Sequence, residues 1–287
     1  MDSFIQKNSF ACPHSFAEIG LIMPIERPTI IDLSQSEFDQ IDQIVMDCAY
    51  ASQNELGRLC DERAYENDLA LRLRSLGLEA ATQVAVRVHH GAFEKTYRLD
   101  LVCNHAVYEA KTATGFAREH DAQVLNYAML LDIRHVKLLN FRPAKVRGRL
   151  RYNPLTDSVR HQFKLRTGQW RQLTPRCKGL ASTLRMLLED WGAFLETQLY
   201  EEALVFFMGG PEECLKRVEL RRGNHLLGSQ FMTMHAPRHL FAVTAISRDP
   251  TAYREHLSRL LKLTGLDGIQ WMNLNHHQID FITLTPD

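Results

Sequence analysis

Asp100, Glu109 and Lys111 fall in the stretch YRLDLVCNHAVYEAK, residues 97–111, and their spacing carries chemistry. Two short runs, Tyr97–Cys103 and Ala106–Thr112, flank Asn104-His105, so the stretch reads as two strands joined by a two-residue turn. Cys103 then faces Ala106, and counting outward sets Asp100 directly opposite Glu109. Opposed residues share a face with Cβ atoms about 5 Å apart. Carboxylates at that separation can hold one divalent cation through oxygen ligands at about 2.1 Å. Strand periodicity returns Lys111 to the same face, while Ala110 points the other way, toward a helix. The competing reading is an ordinary hairpin with a solvated face, although like charges directly across a ladder are destabilising unless something neutralises them.

The flanking elements would have to position these groups. Upstream, Asp61–Gly77 reads as a helix stopped by Gly77. Glu62, Glu66, Leu69, Leu73 and Leu76 fall on it at spacings of three and four. Glu66 lies in line with the leucines and is expected to point inward, where a carboxylate needs a cation or a partner. Glu62 is expected at the exposed edge of the stripe. Downstream, Phe116–Ile133 has a second helical pattern with Phe116, His120, Gln123, Tyr127 and Leu130 on one side. Gln123 and Tyr127 would emerge together and could hydrogen-bond a phosphate or nucleotide.

In this order, Glu66, Asp100, Glu109-Ala110-Lys111 and Gln123-x-x-x-Tyr127 resemble the PD-(D/E)XK nuclease superfamily. The Gln-x-x-x-Tyr element is similar to that of its RecB-like and phage-exonuclease branches. Tyr65-Glu66-Asn67, Tyr97-Arg98-x-Asp100-Leu101, Glu109-x-Lys111 and His120-x-Ala122-Gln123-x-Leu125-Asn126-Tyr127 look like the GxxExxY group within it. The resemblance covers about residues 40–145. The group's naming glycine should fall at Leu59, so this chain keeps only Glu62-x-x-Tyr65 of that motif. The resemblance implies a restriction-endonuclease-like α/β fold, a mixed sheet flanked by helices. It implies Asp100, Glu109 and the Ala110 carbonyl as ligands of Mg²⁺ or Mn²⁺, with Lys111 orienting the attacking water. Glu66, Gln123 and Tyr127 would complete the catalytic set.

The formal net charge is zero, yet from Arg134 to Lys178 thirteen Lys and Arg residues stand against one acid, Asp157. Phe141, Tyr152, Phe163 and Trp170 are interleaved among them. Dense basic residues with aromatics suit a polyanion carrying stackable bases. Arg142, Lys145, Arg147, Arg149, Arg151 and Trp170 are therefore the expected nucleic-acid contacts. The competing reading is a solvated surface compensated by the acidic helices before it. The six cysteines include no Cys-x-x-Cys pair, so reduced thiols are expected rather than a cluster. The amino terminus does not read as a signal peptide, and no apolar run approaches the roughly 20 residues that span a bilayer. The reading is a cytoplasmic protein without membrane contact.

The chain divides into an amino-terminal arm (1–35), a nuclease core (36–152), a basic segment with a helical connector (153–208), and a carboxy-terminal α+β unit (209–287) beyond Gly209-Gly210-Pro211. Ser36-Glu37-Phe38-Asp39 resembles a helix-capping signal, and Gly179–Phe207 reads as one helix. No short-period repeat is visible. The expected function is divalent-metal-dependent hydrolysis of phosphodiester bonds in nucleic acid, DNA ahead of RNA. The alternative is a non-cleaving nucleic-acid-binding or partner-dependent subunit on the same fold. A second copy of the chain is the other candidate partner.

Overall fold

Ser34 starts the first long helix. Its backbone N–H donates to Glu37 Oε2 at 2.8 Å while its hydroxyl accepts from the Glu37 N–H at 3.4 Å. This closes a reciprocal capping box, two residues before the Ser36 expected from the sequence. The computed structural model describes residues 24–286. Most of the expected arm lies outside the described residues. Strand β1 (Ile25–Glu26) and helices α1 (Gln35–Leu56) and α2 (Glu62–Ser75) precede a meander of β2 (Ala80–His90), β3 (Phe93–Cys103) and β4 (Ala106–Lys111). Crossover helix α3 (Arg118–Leu131) returns the chain to β5 (His135–Asn140), and β6 (Arg147–Tyr152) closes the sheet. The order is β1-β2-β3-β4-β5-β6, with β4 and β5 parallel and β5 and β6 antiparallel.

The β3–β4 turn takes the expected form. Asn104 and His105 both have positive φ, 42° and 73°, which matches the right-handed twist of the flanking strands. Cys103 pairs with Ala106 and Leu101 with Tyr108. Every residue of β4 is buried. On one face of the sheet Tyr108, Ala110 and Phe141 pack beneath α1 and α2, where Tyr65 stacks on Phe141 at 4.2 Å between ring centroids. Such a ring pair stabilises by roughly 0.5–1.5 kcal/mol beyond the area it buries. The Tyr65 hydroxyl donates to the Gly57 carbonyl at 2.8 Å, fixing α2 to the end of α1. Gly57 holds a φ of 76°, a conformation open mainly to glycine.

The remaining chain builds a second sheet. Helix α4 (Asp157–Arg160) and strand β7 (Lys164–Gln169) lead into α5 (Arg176–Trp191), α6 (Thr197–Phe207) and α7 (Pro211–Cys214). Strands β8 (Leu215–Arg222), β9 (His225–Ala236) and β10 (His239–Thr244), helix α8 (Pro250–Thr264), and strands β11 (Gly268–Asn275) and β12 (Gln278–Leu284) follow. The sheet order is β7-β12-β11-β10-β9-β8. Two helices, an antiparallel meander, a crossover helix, a parallel strand and a final antiparallel strand therefore occur twice in the same order.

Two features of the connector differ from expectation. The single helix expected over Gly179–Phe207 is broken at Gly192, whose φ of 75° turns α5 into α6. Strand β7, inside the expected connector, pairs with β12. One apolar core joins α3, α5 and α6 to both sheets, including Leu138, Trp191, Tyr200, Phe241 and Phe281. Gly209-Gly210-Pro211 thus lies within a continuously packed structure. No helix among the described residues is long and apolar enough to cross a membrane.

Candidate active site

The hairpin register brings Asp100 and Glu109 face to face, one step beyond the last paired residues, Leu101 and Tyr108. Asp100 Oδ2 accepts the Ala110 backbone N–H at 2.9 Å. Glu109 is 3% exposed, and its Oε1 accepts from Lys111 Nζ at 2.7 Å. Its other oxygen, Oε2, is buried and has no hydrogen-bond partner among the described residues. A buried carboxylate oxygen without a donor is costly unless a cation or proton occupies it. Burial, followed by the neighbouring Asp100 charge, pushes the Glu109 carboxyl up to about 8. Burial also raises Asp100. Metal-free, the pair thus favours holding a shared proton at neutral pH. Burial alone would disfavour the Lys111 ammonium, but the Glu109 charge and hydrogen bond outweigh it and the net shift is upward.

Glu66 enters from α2, buried at 3% exposure, as its place in the leucine stripe suggests. The link to the hairpin is Gln83. Its amide Nε2 donates to Glu66 Oε2 at 2.8 Å and to Asp100 Oδ1 at 3.2 Å. Gln83 stands across from Asp100 in the β2–β3 register, between the pairs Thr82↔Leu101 and Val84↔Leu99. Its φ is +56°, a left-handed conformation that costs a non-glycine residue about 1–3 kcal/mol and persists only where its surroundings enforce it. Burial, opposed by the Gln83 hydrogen bond, raises the Glu66 carboxyl.

Glu62 is not the free edge residue expected from the stripe. Its Oε1 accepts the Thr112 backbone N–H at 2.9 Å, anchoring the chain immediately after Lys111. At the stripe's far end, Leu76 is 61% exposed. On α3, Gln123 Nε2 donates to the Tyr127 hydroxyl at 2.9 Å. Burial, then the Glu109 charge, raises the Tyr127 phenol, so it is a hydroxyl donor at neutral pH. Asn140 Nδ2 donates to the Ala113 carbonyl at 2.8 Å, and Arg142 Nε donates to the Thr112 carbonyl at 3.1 Å. These contacts set Arg142 beside the end of β4.

The other basic residues separate. Arg149 and Arg151 both clasp Asp121 of α3, at 3.2 and 2.7 Å, and Arg149 also lies over the Phe116 ring. Lys145 and Arg147 remain exposed. Trp170 follows β7 and packs edge-on against Phe281 at 5.4 Å, on the second sheet. Compensation extends further, with Arg134 on Asp32 and Lys137 on Asp42. Gln83 and Glu62 are the contributors that sequence reasoning missed. Counting across the β2–β3 hairpin finds Gln83 opposite Asp100, but nothing in the sequence signals its backbone conformation.

Residues 39–151 match the family model of the PD-(D/E)XK nuclease superfamily. Over that stretch the chain is similar to that superfamily. No curated protein and no solved structure matches the chain. The mixed sheet with helices on both faces is consistent with the restriction-endonuclease-like fold of that superfamily. Among the described residues there is no cluster of three or more His, Cys, Asp or Glu arranged to hold a metal ion. The donor set within the matched residues is smaller and harder. It offers the Asp100 and Glu109 carboxylates and the Ala110 carbonyl, all oxygen, which suits Mg²⁺ or Mn²⁺ with water completing the shell.

Proposed function

We propose that this chain hydrolyses phosphodiester bonds in nucleic acid, DNA in preference to RNA, with Mg²⁺ or Mn²⁺ held by Asp100, Glu109 and the Ala110 carbonyl. The observation that carries this reading is the undonated, buried Glu109 Oε2 facing Asp100, with Lys111 on the same face. A divalent cation bound there supplies neutralisation of the phosphate charge and a more acidic water. Lys111 acts as an ammonium: its raised pKa makes it a proton donor that orients the attacking water and the phosphate oxygens. Glu66 holds the Gln83 amide and through it fixes Asp100. Tyr127 donates its hydroxyl toward the substrate strand and is itself oriented by Gln123. Arg142, Lys145 and Arg147 extend from the end of β4 along the strand's path.

Within the superfamily we read the chain as nearest the GxxExxY group. Gly57, whose carbonyl takes the Tyr65 hydroxyl, supports that reading by supplying a helix-ending glycine two residues before Leu59. The test is incubation of the purified protein with linear, circular and single-stranded DNA and with RNA, in Mg²⁺, Mn²⁺ or EDTA. Metal-dependent cleavage of DNA supports the proposal. Binding without cleavage under every condition favours the non-cutting or partner-dependent alternative.

A further inference from the structure

The second half of the chain reproduces individual hydrogen bonds of the first. Tyr65 donates to Gly57 at the turn from α1 to α2, and Tyr200 donates to Gly192 at the turn from α5 to α6, at 2.8 and 2.6 Å. Both tyrosines are followed by glutamate, Glu66 and Glu201, and three residues later by leucine, Leu69 and Leu204. Asn140 donates to the Ala113 carbonyl at 2.8 Å, and Asn273 donates to the Ile246 carbonyl at 2.9 Å. Lys111 stands beside Asn140 across parallel strands, as Thr244 stands beside Asn273. Asp132 and Gly265 both end the crossover helix in a left-handed conformation.

These correspondences locate the second copy's counterpart of the metal site. Thr244 takes the place of Lys111, and Ala242 that of Glu109. Leu240 pairs with Met234, so the residue two steps on, opposite Ala242, is Met232, in the place of Asp100. Met232 is buried under α8 with Leu257, Leu261 and Trp271, against which Ala242 also packs. The Thr244 hydroxyl accepts from Trp271 Nε1 and donates to Asn273. None of the three positions carries a charge, so the carboxylate pair and lysine of the first copy have no equivalent here.

The same comparison shows what replaced it. In the first copy Asp121 of α3 clasps Arg149 and Arg151 of β6, closing the crossover helix onto the last strand. Counting back equally from the two helix ends, Arg254 stands where Asp121 does. Here α8 and the strands β12 and β7 leave a cleft of about 410 Å³, lined by Arg166, Gln169, Thr251, Arg254, Asn275 and Gln278 among others. Its one acid, Asp280, is paired with Arg166 at 3.2 Å, and the Arg166 side chain remains 62% exposed. Arg254 donates to Gln169 and Arg166 to Gln278, so amides orient both guanidinium groups. Planar guanidinium groups flanked by amide and hydroxyl donors suit phosphate oxygens.

We propose that residues 176–285 are a second, non-cutting copy of the nuclease fold, and that the arginine cleft this copy forms with β7 binds the phosphate backbone of the nucleic acid that the first copy hydrolyses. This rests on the nuclease reading above. The test is fluorescence anisotropy of a labelled oligonucleotide with the full chain in EDTA, comparing wild type with Arg166→Ala/Arg254→Ala and the bulkier Arg166→Gln/Arg254→Gln. Both pairs are expected to weaken Kd by about tenfold and to flatten the dependence of log Kd on log salt by one to two, about 0.9 per lost phosphate contact. Kd and slope unchanged in the Gln pair overturn the proposal. Oligonucleotide retained against inorganic phosphate at equal phosphate concentration assigns the cleft to a phosphate chain. Complete displacement assigns it to free phosphate and overturns the nucleic-acid reading. If wild type neither binds nor cuts any nucleic acid, the nuclease reading itself fails. If it cuts and the variants bind as tightly, only this inference fails. Finally, Asp100→Ala/Glu109→Ala should cut nothing, and residual cleavage removed by Glu201→Ala would show that the second copy is not void.

Discussion

Gln83 lies across the β2–β3 pair from Asp100 and donates its amide to that carboxylate at 3.2 Å. The same amide nitrogen reaches Glu66 at 2.8 Å, and one strained residue thereby aligns carboxylates from a helix and a strand. Gln83→Gly should relieve a left-handed backbone worth about 1–3 kcal/mol while removing the tie. The expected outcome is a melting temperature equal to or above wild type together with weaker Mn²⁺ binding, read by calorimetry. A lower melting temperature with unchanged Mn²⁺ affinity would refute the stored strain and the tie together.

Asp100→Ala, Glu109→Ala and Lys111→Ala should each lower cleavage by two orders of magnitude or more, the scale on which positioned proton-transfer and charge-stabilising groups act. The two carboxylate changes should also weaken Mn²⁺ binding, because a single carboxylate holds the ion poorly. Glu109→Ala further strands the Lys111 ammonium in a buried site and should destabilise the fold more than Glu109→Gln. Cleavage surviving Glu109→Ala, with circular dichroism unchanged, would place the chemistry elsewhere.

The pH dependence follows from Glu109, whose carboxyl rises from 4.5 to about 8 on folding. A group raised in the folded state stabilises it when protonated. The metal-free protein should therefore lose stability as pH rises from about 4.5 through 8, because the native state alone holds the proton across that window. Divalent metal displaces the proton, so its affinity should increase over the same range and level off above it. Thermal melts at several pH values with and without Mn²⁺ measure both. A metal affinity flat from pH 6 to about 8 would contradict the raised carboxyl.

Asp121 holds Arg149 and Arg151 against α3, so these arginines are compensated while Lys145 and Arg147 are exposed. Lys145→Ala/Arg147→Ala should weaken nucleic-acid binding and flatten its salt slope more than Arg149→Ala/Arg151→Ala does. Asp121→Ala should strengthen binding by releasing two cations, at a stability cost of about 0.2–1 kcal/mol for each surface ion pair lost. Salt-titrated anisotropy distinguishes them, and weaker binding by Asp121→Ala would mean that the paired geometry itself contacts substrate.

A chain ending at Met208 should be insoluble. It would leave β7 without its β12 partner and expose the Leu199, Ala203 and Leu204 side chains on α6, which are fully buried in the shared core. Recovery of a soluble, Mn²⁺-binding fragment would show instead that the first sheet and its helices fold independently.

The arrangement of the hairpin residues was legible in the sequence because its geometry is local. A two-residue turn sets the register, and the period of two then fixes which side chains of Asp100, Glu109 and Lys111 share a face. Gln123 and Tyr127 were legible for the same reason, through the four-residue period of a helix. Glu66 followed from its place among buried leucines, whereas Glu62 was misjudged because its partner, the Thr112 N–H, lies fifty positions away. Tertiary structure alone decided which arginines are free, since that depends on whether α3 brings Asp121 over β6. It alone exposed the second copy, because the repeat is conserved as a few hydrogen bonds and a strand order. The residues that would announce the copy in sequence, a carboxylate pair and a lysine, have been replaced there by Met232, Ala242 and Thr244. Local periodicity fixes faces and registers; the partners of charges and the equivalence of distant elements exist only once the sheets and helices are packed.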